Sequence, residues 1–460
     1  MEYKYIDEIK KKLLEDSFSV FCGSGAVADA GLGCWEKLFS QKTQDFYNKK
    51  IDNDLYFLAG LEEKYYNNTN FYNDIVEKLN DKKRKKSKHI DAIINLNLNQ
   101  VWTTNFDTII EDTIREKFQT SPAIIKSSND LLKERLNKPY TVYKLNGSIE
   151  DRESMILTKA DFLEYMDKQR MMFELLKRQL VLDSFLFIGY SFADELVLSA
   201  LREIKKNFSS IGNTHYRFLK QKQDEESPLW DEYYEYTSRY YEDEYNIKTI
   251  VVDDYCQIDE YLEELYKRYC NNNIFIAGSF RNIGNSTRLY YEKLVSEIVK
   301  NLFLNCYSIY SGNGRGLGEI VVAQVENYKK KHNGMGRFIN RPLIFTGDST
   351  EEKANKNDLI MKDCHTMIII SGQDETLEAS INVINQFKKF SAQKTDKAPL
   401  IIPIPTTGYA AKKIYNSEEF QNTYYYRQHR NIFDQLKGCD SIDEISRLIV
   451  NLINLFQQEP

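Results

Sequence analysis

Four short polar stretches in the first 200 residues have the makings of a reactive site: CGSGA at 22–26, TTNFD at 103–107, LNGS at 145–148 and GYSFAD at 189–194. Gly23 and Gly25 follow an apolar run and precede a helical pattern. Glycines there let the backbone approach a ligand closely, and a helix N-terminus favours a pyrophosphate. The spacing is not the GxGxxG of a dehydrogenase, and many strand-to-helix turns carry glycines for steric reasons alone. Asp107 has a similarly plain alternative, capping the helix that follows it. Four polar strand ends within one domain are nevertheless hard to explain as four independent caps. The stretch at 145–148 raises a question of its own. Asn146 can orient a reactant, but an amide has no group that titrates near neutral pH and cannot serve as a general base.

The elements that must position these residues follow from the periodicity. SFSVFCGSG, LNQVWTTNFD, SFLFIGYSF and NIKTIVVDD read as strands, and KLNGS as a further strand end. DTIIEDTIREKF and MMFELLKRQLVL recur at helical spacing between them. The acidic, tyrosine-rich segment 224–245 interrupts the alternation and is expected to pack on its own domain. After the amphipathic run IDEYLEELYKRY and the asparagines at 271–273, the alternation starts afresh with IFIAGSF, CYSIYSG, RPLIFTG, TMIIISG and APLIIPIP. The expected class is α/β: two Rossmann-like three-layer domains with mainly parallel sheets, residues 1–272 and 273–460.

Bulk properties exclude several classes. A chain of 460 residues is too long for one core, and 42% hydrophobic with 28% charged residues indicates a globular rather than disordered protein. The apolar runs are strand-sized, well short of the roughly 18 residues that span a bilayer, and residues 1–22 lack the pattern of a signal peptide. The expected location is the cytoplasm. Seven scattered cysteines form no CxxC pair, which argues against structural zinc, any other metal centre and a disulfide framework. A net charge of −6 gives no general pull toward nucleic acid. The one basic run, DKKRKKSK at 81–88, is better read as a solvated loop than as a phosphate-binding arm.

In this order the four stretches resemble the SIR2 (sirtuin-like) family over roughly residues 1–270. Gly23, Gly25, Trp35, Thr104, Asn105, Asp107, Gly147, Ser148, Gly189, Ser191 and Asp194 meet the family pattern. The resemblance implies NAD+ held by Gly23, Ser24, Gly25, Ala26, Trp35, Thr104, Gly189, Ser191 and Asp194, with the nicotinamide–ribose bond as the reactive one. Deacetylating members carry a four-cysteine zinc module that this sequence cannot build. It therefore looks like the zinc-free branch, which hydrolyses NAD+ to ADP-ribose and nicotinamide. In that branch the TTN asparagine, here Asn105, positions water and ribose, and the histidine of an HGS motif acts as base. Asn146 stands in the histidine's place. Three explanations are open: a natural variant relying on Asn105 and Asp107, a natural NAD-binding pseudoenzyme, or a deliberately inactivated chain. The last is preferred, because asparagine keeps the polar shape of histidine while removing its titration.

In the second half, SGNGRGLG at 311–318 suits a loop whose N–H groups wrap a phosphate. With IFIAGSFR, SGQDETLEAS and IPIPTTGYAAKKIY it resembles the SLOG family of nucleotide-binding domains, over about residues 273–416. Enzymatic relatives carry PGGxGTxxE. Here Ser371, Gln373, Glu375 and Ala379 occupy its key positions, which argues for a sensor rather than a second catalyst. Expected contacts are Ser279, Arg281, Gly314, Arg315, Gly316, Thr376, Gly408 and Lys412. SIR2 followed by SLOG resembles the effector family of bacterial Thoeris antiphage systems. That likeness implies a TIR-domain partner enzyme making a cyclic ADP-ribose isomer, activation through the SLOG domain, and a homo-oligomer, commonly a tetramer that extends into a filament. The competing reading is a non-catalytic NAD-binding, nucleotide-sensing scaffold.

Overall fold

All the strands whose neighbours can be assigned pair in parallel, in two separate sheets. The computed structural model describes residues 3–32, 35–65, 70–80, 85–133, 139–192, 196–208, 212–221, 229–280, 283–312, 316–331, 337–339, 349–374, 376–393 and 397–458. The chain divides into two compact units, Met1–Lys12 with Ser17–Tyr266, and Leu13–Asp16 with Lys267–Pro460. Each is an α/β layered unit of the Rossmann-like type, the class expected from the periodicity.

The first sheet holds β1 (Phe18–Cys22), β2 (Gln100–Thr103), β3 (Ala123–Ile125), β4 (Thr141–Lys144), β5 (Ser184–Ile188), β6 (His215–Lys220) and β7 (Ile247–Val252). Their spatial order is β3-β4-β2-β1-β5-β6-β7. The chain fills one side of β1 with β2, β3 and β4, then crosses to the other side with β5. Every residue of β1 and β5 is buried, as expected for central parallel strands covered on both faces. Phe21, Trp102, Phe185 and Phe187 pack there with Leu176 and Leu180 of the helix Arg170–Leu182 and Leu201 of the helix Leu196–Phe208.

Residues 224–228 of the tyrosine-rich segment lie outside the described set, and the rest is no interruption. From residue 229 it forms the 17-residue helix Leu229–Tyr245 that joins β6 to β7, burying Tyr234 and Tyr245. Of the basic run, residues 81–84 lie outside the described set. Lys85 and Lys86 are exposed, and Ser87 caps the helix Lys88–Asn95 by accepting from the Ile90 N–H at 3.2 Å.

The second sheet holds β8 (Asn273–Ser279), β9 (Ser308–Tyr310), β10 (Phe338–Ile339), β11 (Thr366–Ser371) and β12 (Leu400–Ile404), in the order β10-β9-β8-β11-β12. β11 is buried throughout and carries the run TMIIIS. Pro403 is tolerated in β12 because that strand is the sheet edge, where a missing N–H breaks no ladder. The expected strand RPLIFTG lies outside the described residues.

Candidate active site

Four strands of the first sheet stop in one row. Cys22 of β1 is level with Thr103 of β2 and Ile188 of β5, and Thr103 is level with Lys144 of β4. The loops at these strand ends carry the glycine turn, TTNFD, LNGS and GYSFAD. They meet where the strand order changes direction, the place at which open α/β sheets receive ligands.

The glycine turn lies backbone against backbone on the loop after β5. The Gly23 N–H donates to the Ile188 carbonyl and the Gly25 N–H to the Gly189 carbonyl, both at 2.9 Å. Gly189 has φ +62, and a Cβ there would sit 2.0 Å from the Ala26 nitrogen. Close packing alone thus requires glycine here. The turn runs into a 3-10 helix, Ser24–Ala30, rather than an α-helix, and Gly31 ends it in the left-handed conformation. Ala26 is buried within it and Ser24 is half-buried.

TTNFD is tied to that turn. The Thr103 hydroxyl donates to the Cys22 carbonyl at 2.8 Å and accepts from the Asn105 N–H at 2.9 Å. The Asn105 side chain donates through Nδ2 to the Gly23 carbonyl at 3.0 Å. Thr104 is half-buried, and its N–H reaches the Cys22 carbonyl at 3.3 Å. Asp107 is buried, and one of its carboxylate oxygens accepts from the Ile109 N–H at 2.9 Å, so it does serve the first turn of the helix Ile109–Phe118. Burial, reinforced by the Asp107 charge, pushes the Cys22 thiol far above its ordinary value and leaves it inert.

The LNGS loop folds back on itself. Its Gly147 has φ +87 and a Cβ would meet the Ser154 carbonyl oxygen at 2.0 Å, so only glycine fits. The Ser148 N–H donates to the Ser154 hydroxyl at 3.1 Å. Asn146 is buried; its carbonyl accepts from the Ile156 N–H at 3.0 Å, and Nδ2 reaches the Tyr56 hydroxyl at 3.5 Å. The Tyr56 ring meets Trp35 edge-on with centroids 4.4 Å apart. Trp35, Tyr56 and Asn146 are therefore successive neighbours. Tyr56 is a residue that sequence reasoning missed, since nothing local marks a tyrosine 90 positions from its partner.

The loop after β5 contributes Gly189 to the turn and leaves Ser191 exposed. Phe192 adopts φ +58, with its ring packed among Phe187, Tyr190 and Tyr241. Asp194 lies outside the described residues. Neither histidine of this unit takes the place left by Asn146. His215 opens β6, at the other end of the sheet, where its Nδ1 accepts from the Phe185 N–H at 3.1 Å and burial pushes its pKa down to about 3. His89 lies between Asp29 and Asp259, 3.4 Å from each.

In the second unit, β8 and β11 end side by side, with Ser279 level with Ser371. The Ser279 hydroxyl donates to the Gln373 carbonyl at 2.8 Å, and the N–H groups of Gly372 and Gln373 donate to the Ser279 carbonyl. Gly316 packs against the backbone of Phe280. Ser371 donates its N–H to the Thr407 hydroxyl at 2.7 Å, which brings the turn ending in Gly408 to the same edge. Lys412 is exposed on the helix Tyr409–Tyr415. Thr376 is exposed and donates its hydroxyl to Asp374 at 2.7 Å. Among the described residues of the eroded motif, Gln373 is bridged to Ala379 and the Ser380 N–H donates to the Gly372 carbonyl at 2.7 Å. Arg281, Gly314, Arg315 and Glu375 lie outside the described residues.

Comparison with known proteins gives these two sites a context. A SIR2-like domain family matches residues 99–250, and the Sir2- and TIR-associating SLOG family matches residues 257–456. The chain joins a SIR2-like domain to a SLOG domain. The first match contains TTNFD, LNGS and GYSFAD, while the glycine turn and Trp35 precede it. This SIR2–SLOG chain is 25% identical to the NAD(+) hydrolase ThsA of Bacillus cereus (strain MSX-D12), covering 98% of each chain. It is 26% identical to the NAD(+) hydrolase ThsA of Enterococcus faecium, covering 99% of each. The likeness to ThsA thus runs through both domains.

Proposed function

We propose that this SIR2–SLOG chain is an NAD+ hydrolase of bacterial antiphage defence, activated by a cyclic ADP-ribose isomer bound at the C-terminal edge of the second sheet. The observation that carries the reading is the convergence of the Gly23 turn, Asn105 and Asn146 on one sheet edge inside a domain whose full-length relatives are named NAD(+) hydrolases. NAD+ would lie along that edge, its pyrophosphate on the turn Gly23–Ala26.

In the reaction the bond between ribose C1′ and the nicotinamide nitrogen breaks with its electron pair going to nitrogen, which neutralises the pyridinium. Water forms the new bond to the oxocarbenium-like carbon and gives up a proton. Asn105, its Nδ2 fixed on Gly23, presents its amide oxygen as the acceptor that orients a water or ribose hydroxyl. Asn146 reaches the same edge but cannot take the proton. Turnover by this chain is accordingly slow, and Asn146→His supplies the missing base. General bases contribute typically about 10²–10⁴-fold.

The messenger would come from a TIR-domain enzyme, in keeping with the name of the SLOG family matched. It shifts activity only by binding the active arrangement more tightly, and that arrangement is proposed to be a homotetramer that extends into filaments. The test is nicotinamide release from NAD+ by the Asn146→His protein, with and without the cyclic ADP-ribose isomer. Stimulation by the isomer supports the reading, and equal rates with and without it remove the regulatory half. A second reading, a non-catalytic NAD-binding scaffold, is favoured by Asn146 itself. It requires NAD+ binding by calorimetry with no turnover by either the Asn or the His form.

A further inference from the structure

A lysine and a glutamate with no exposed side-chain surface lie directly beneath the reactive edge. Lys144 is the last residue of β4, two positions before Asn146, and Glu111 sits in the first turn of the helix Ile109–Phe118. Both side chains are fully buried, and Lys144 Nζ is 3.0 Å from Glu111 Oε1. The same ammonium donates to the main-chain carbonyl of Asp107. One cation therefore holds the end of the TTNFD loop and the helix behind it, from a strand whose next residues form the LNGS loop.

The backbone repeats the same stitching. The Leu145 N–H donates to the Thr103 carbonyl at 2.8 Å and the Ile149 N–H to the Phe106 carbonyl at 3.0 Å.

Stability does not account for the pair. Desolvation of a buried ion pair cancels most of its attraction, and apolar residues of similar volume commonly serve as well or better. Here burial pushes the Glu111 carboxyl up against the pull of Lys144, the Asp107 charge adds to that rise, and Glu111 Oε2 is buried with no hydrogen-bond partner among the described residues. What the pair provides is geometry: two fixed acceptors on separate elements, met by one donor. We propose that Lys144 and Glu111 are positioning residues that hold the Asn105 loop against the Asn146 loop in the arrangement NAD+ cleavage requires. This rests on the NAD+ hydrolase reading for its chemistry and on the buried contacts for its structure.

The test is the double variant Lys144→Met/Glu111→Leu, which removes both charges together and leaves neither unpaired. Hydrogen exchange is read first. The double variant keeps protection in β1 and β5 but loses at least tenfold at the amides of Asn105 and Ile109. Unchanged protection there in the folded double variant overturns the proposal. Should the double variant not fold, Lys144→Met, which removes the shared donor and leaves a glutamate that can take up a proton, is read in the same way, with the same two outcomes.

Kinetics is read second, in the Asn146→His background. Misplacing a reacting group by about 1 Å costs on the order of 10²-fold in rate. The expected result is a kcat lowered about tenfold or more, with any rise in KM for NAD+ clearly smaller than that fall, because the pair reaches the Gly23 turn only through Asn105. A parallel loss in KM, or an unchanged kcat, contradicts positioning. If Asn146→His alone releases no nicotinamide, the hydrolase reading fails, while the exchange result still decides whether the pair holds the loop.

Discussion

The side-chain amide of Asn105 donates to the carbonyl of Gly23 at 3.0 Å, joining the end of β2 to the glycine turn after β1. The residue assigned to orient water and ribose is thus also a strut of the turn that would hold the pyrophosphate. Asn105→Asp turns this donor into an acceptor facing a carbonyl oxygen, and leaves a buried group unsatisfied at about 1–3 kcal/mol. NAD+ affinity measured by calorimetry is expected to fall about tenfold or more, alongside the loss of turnover. If affinity holds while turnover falls, Asn105 acts on the reaction alone.

Gly189 and Gly60 make a matched pair of tests. A Cβ on Gly189 would press on the Ala26 nitrogen at 2.0 Å in a left-handed conformation, whereas one on Gly60 would meet only the Thr158 Cβ at an ordinary 3.8 Å. Gly189→Ala should lower the melting temperature and abolish NAD+ binding. Gly60→Ala, within the helix Leu55–Tyr65, should raise stability by up to about 1 kcal/mol through helix propensity and leave binding unchanged. Melting curves with and without NAD+ read both.

Acid sensitivity should trace in part to His215. Its pKa falls from 6.5 when unfolded to about 3 when buried. Above pH 6.5 the ring is neutral in both states and contributes no slope. Below 6.5 the unfolded chain takes up the proton first, so stability is lost progressively as pH falls toward 3. Between pH 6.5 and 5 the loss is about 2 kcal/mol. His215→Asn keeps an acceptor for the Phe185 N–H without the titration. Urea melts at pH 7 and pH 5 should show a smaller drop for this variant than for the parent chain. An identical drop would mean that His215 does not contribute.

Thiol chemistry offers a further check. Cys22 is fully buried at the end of β1, while Cys256 is exposed. Iodoacetamide on the native chain should label Cys256 and spare Cys22, as read by mass spectrometry of peptides. Labelling of Cys22 at a rate comparable to Cys256 would show that the strand-end row opens readily.

The strand ends were legible because each central strand is an apolar run stopped by polar residues, a pattern that β1, β2 and β5 keep. Two strands were not. β3 has only three residues, and β6 reads HYRFLK, whose Arg217 looks like a loop residue until its guanidinium is seen 3.6 Å from the Tyr241 ring centroid. That ring belongs to the helix Leu229–Tyr245, where acids and tyrosines blur the helical period and made a crossover read as an excursion. Lys144 and Glu111 could not be read as buried from sequence, since only the meeting of β4 with a helix more than 30 residues earlier pairs them. The same holds for Asn146 and Tyr56. What the resemblance added was the order of the four loops; what the structure added is the set of bonds tying Asn105 to Gly23 and Lys144 to Asp107.

The central claim is that this sheet edge cleaves NAD+ and that position 146 sets how fast. Nicotinamide release should be measured by chromatography for the chain as it stands and for Asn146→His, side by side with the cyclic ADP-ribose isomer present. The account predicts a rate at least about a hundredfold higher with histidine. No nicotinamide from the histidine form at micromolar protein, or equal rates from the two forms, would contradict it.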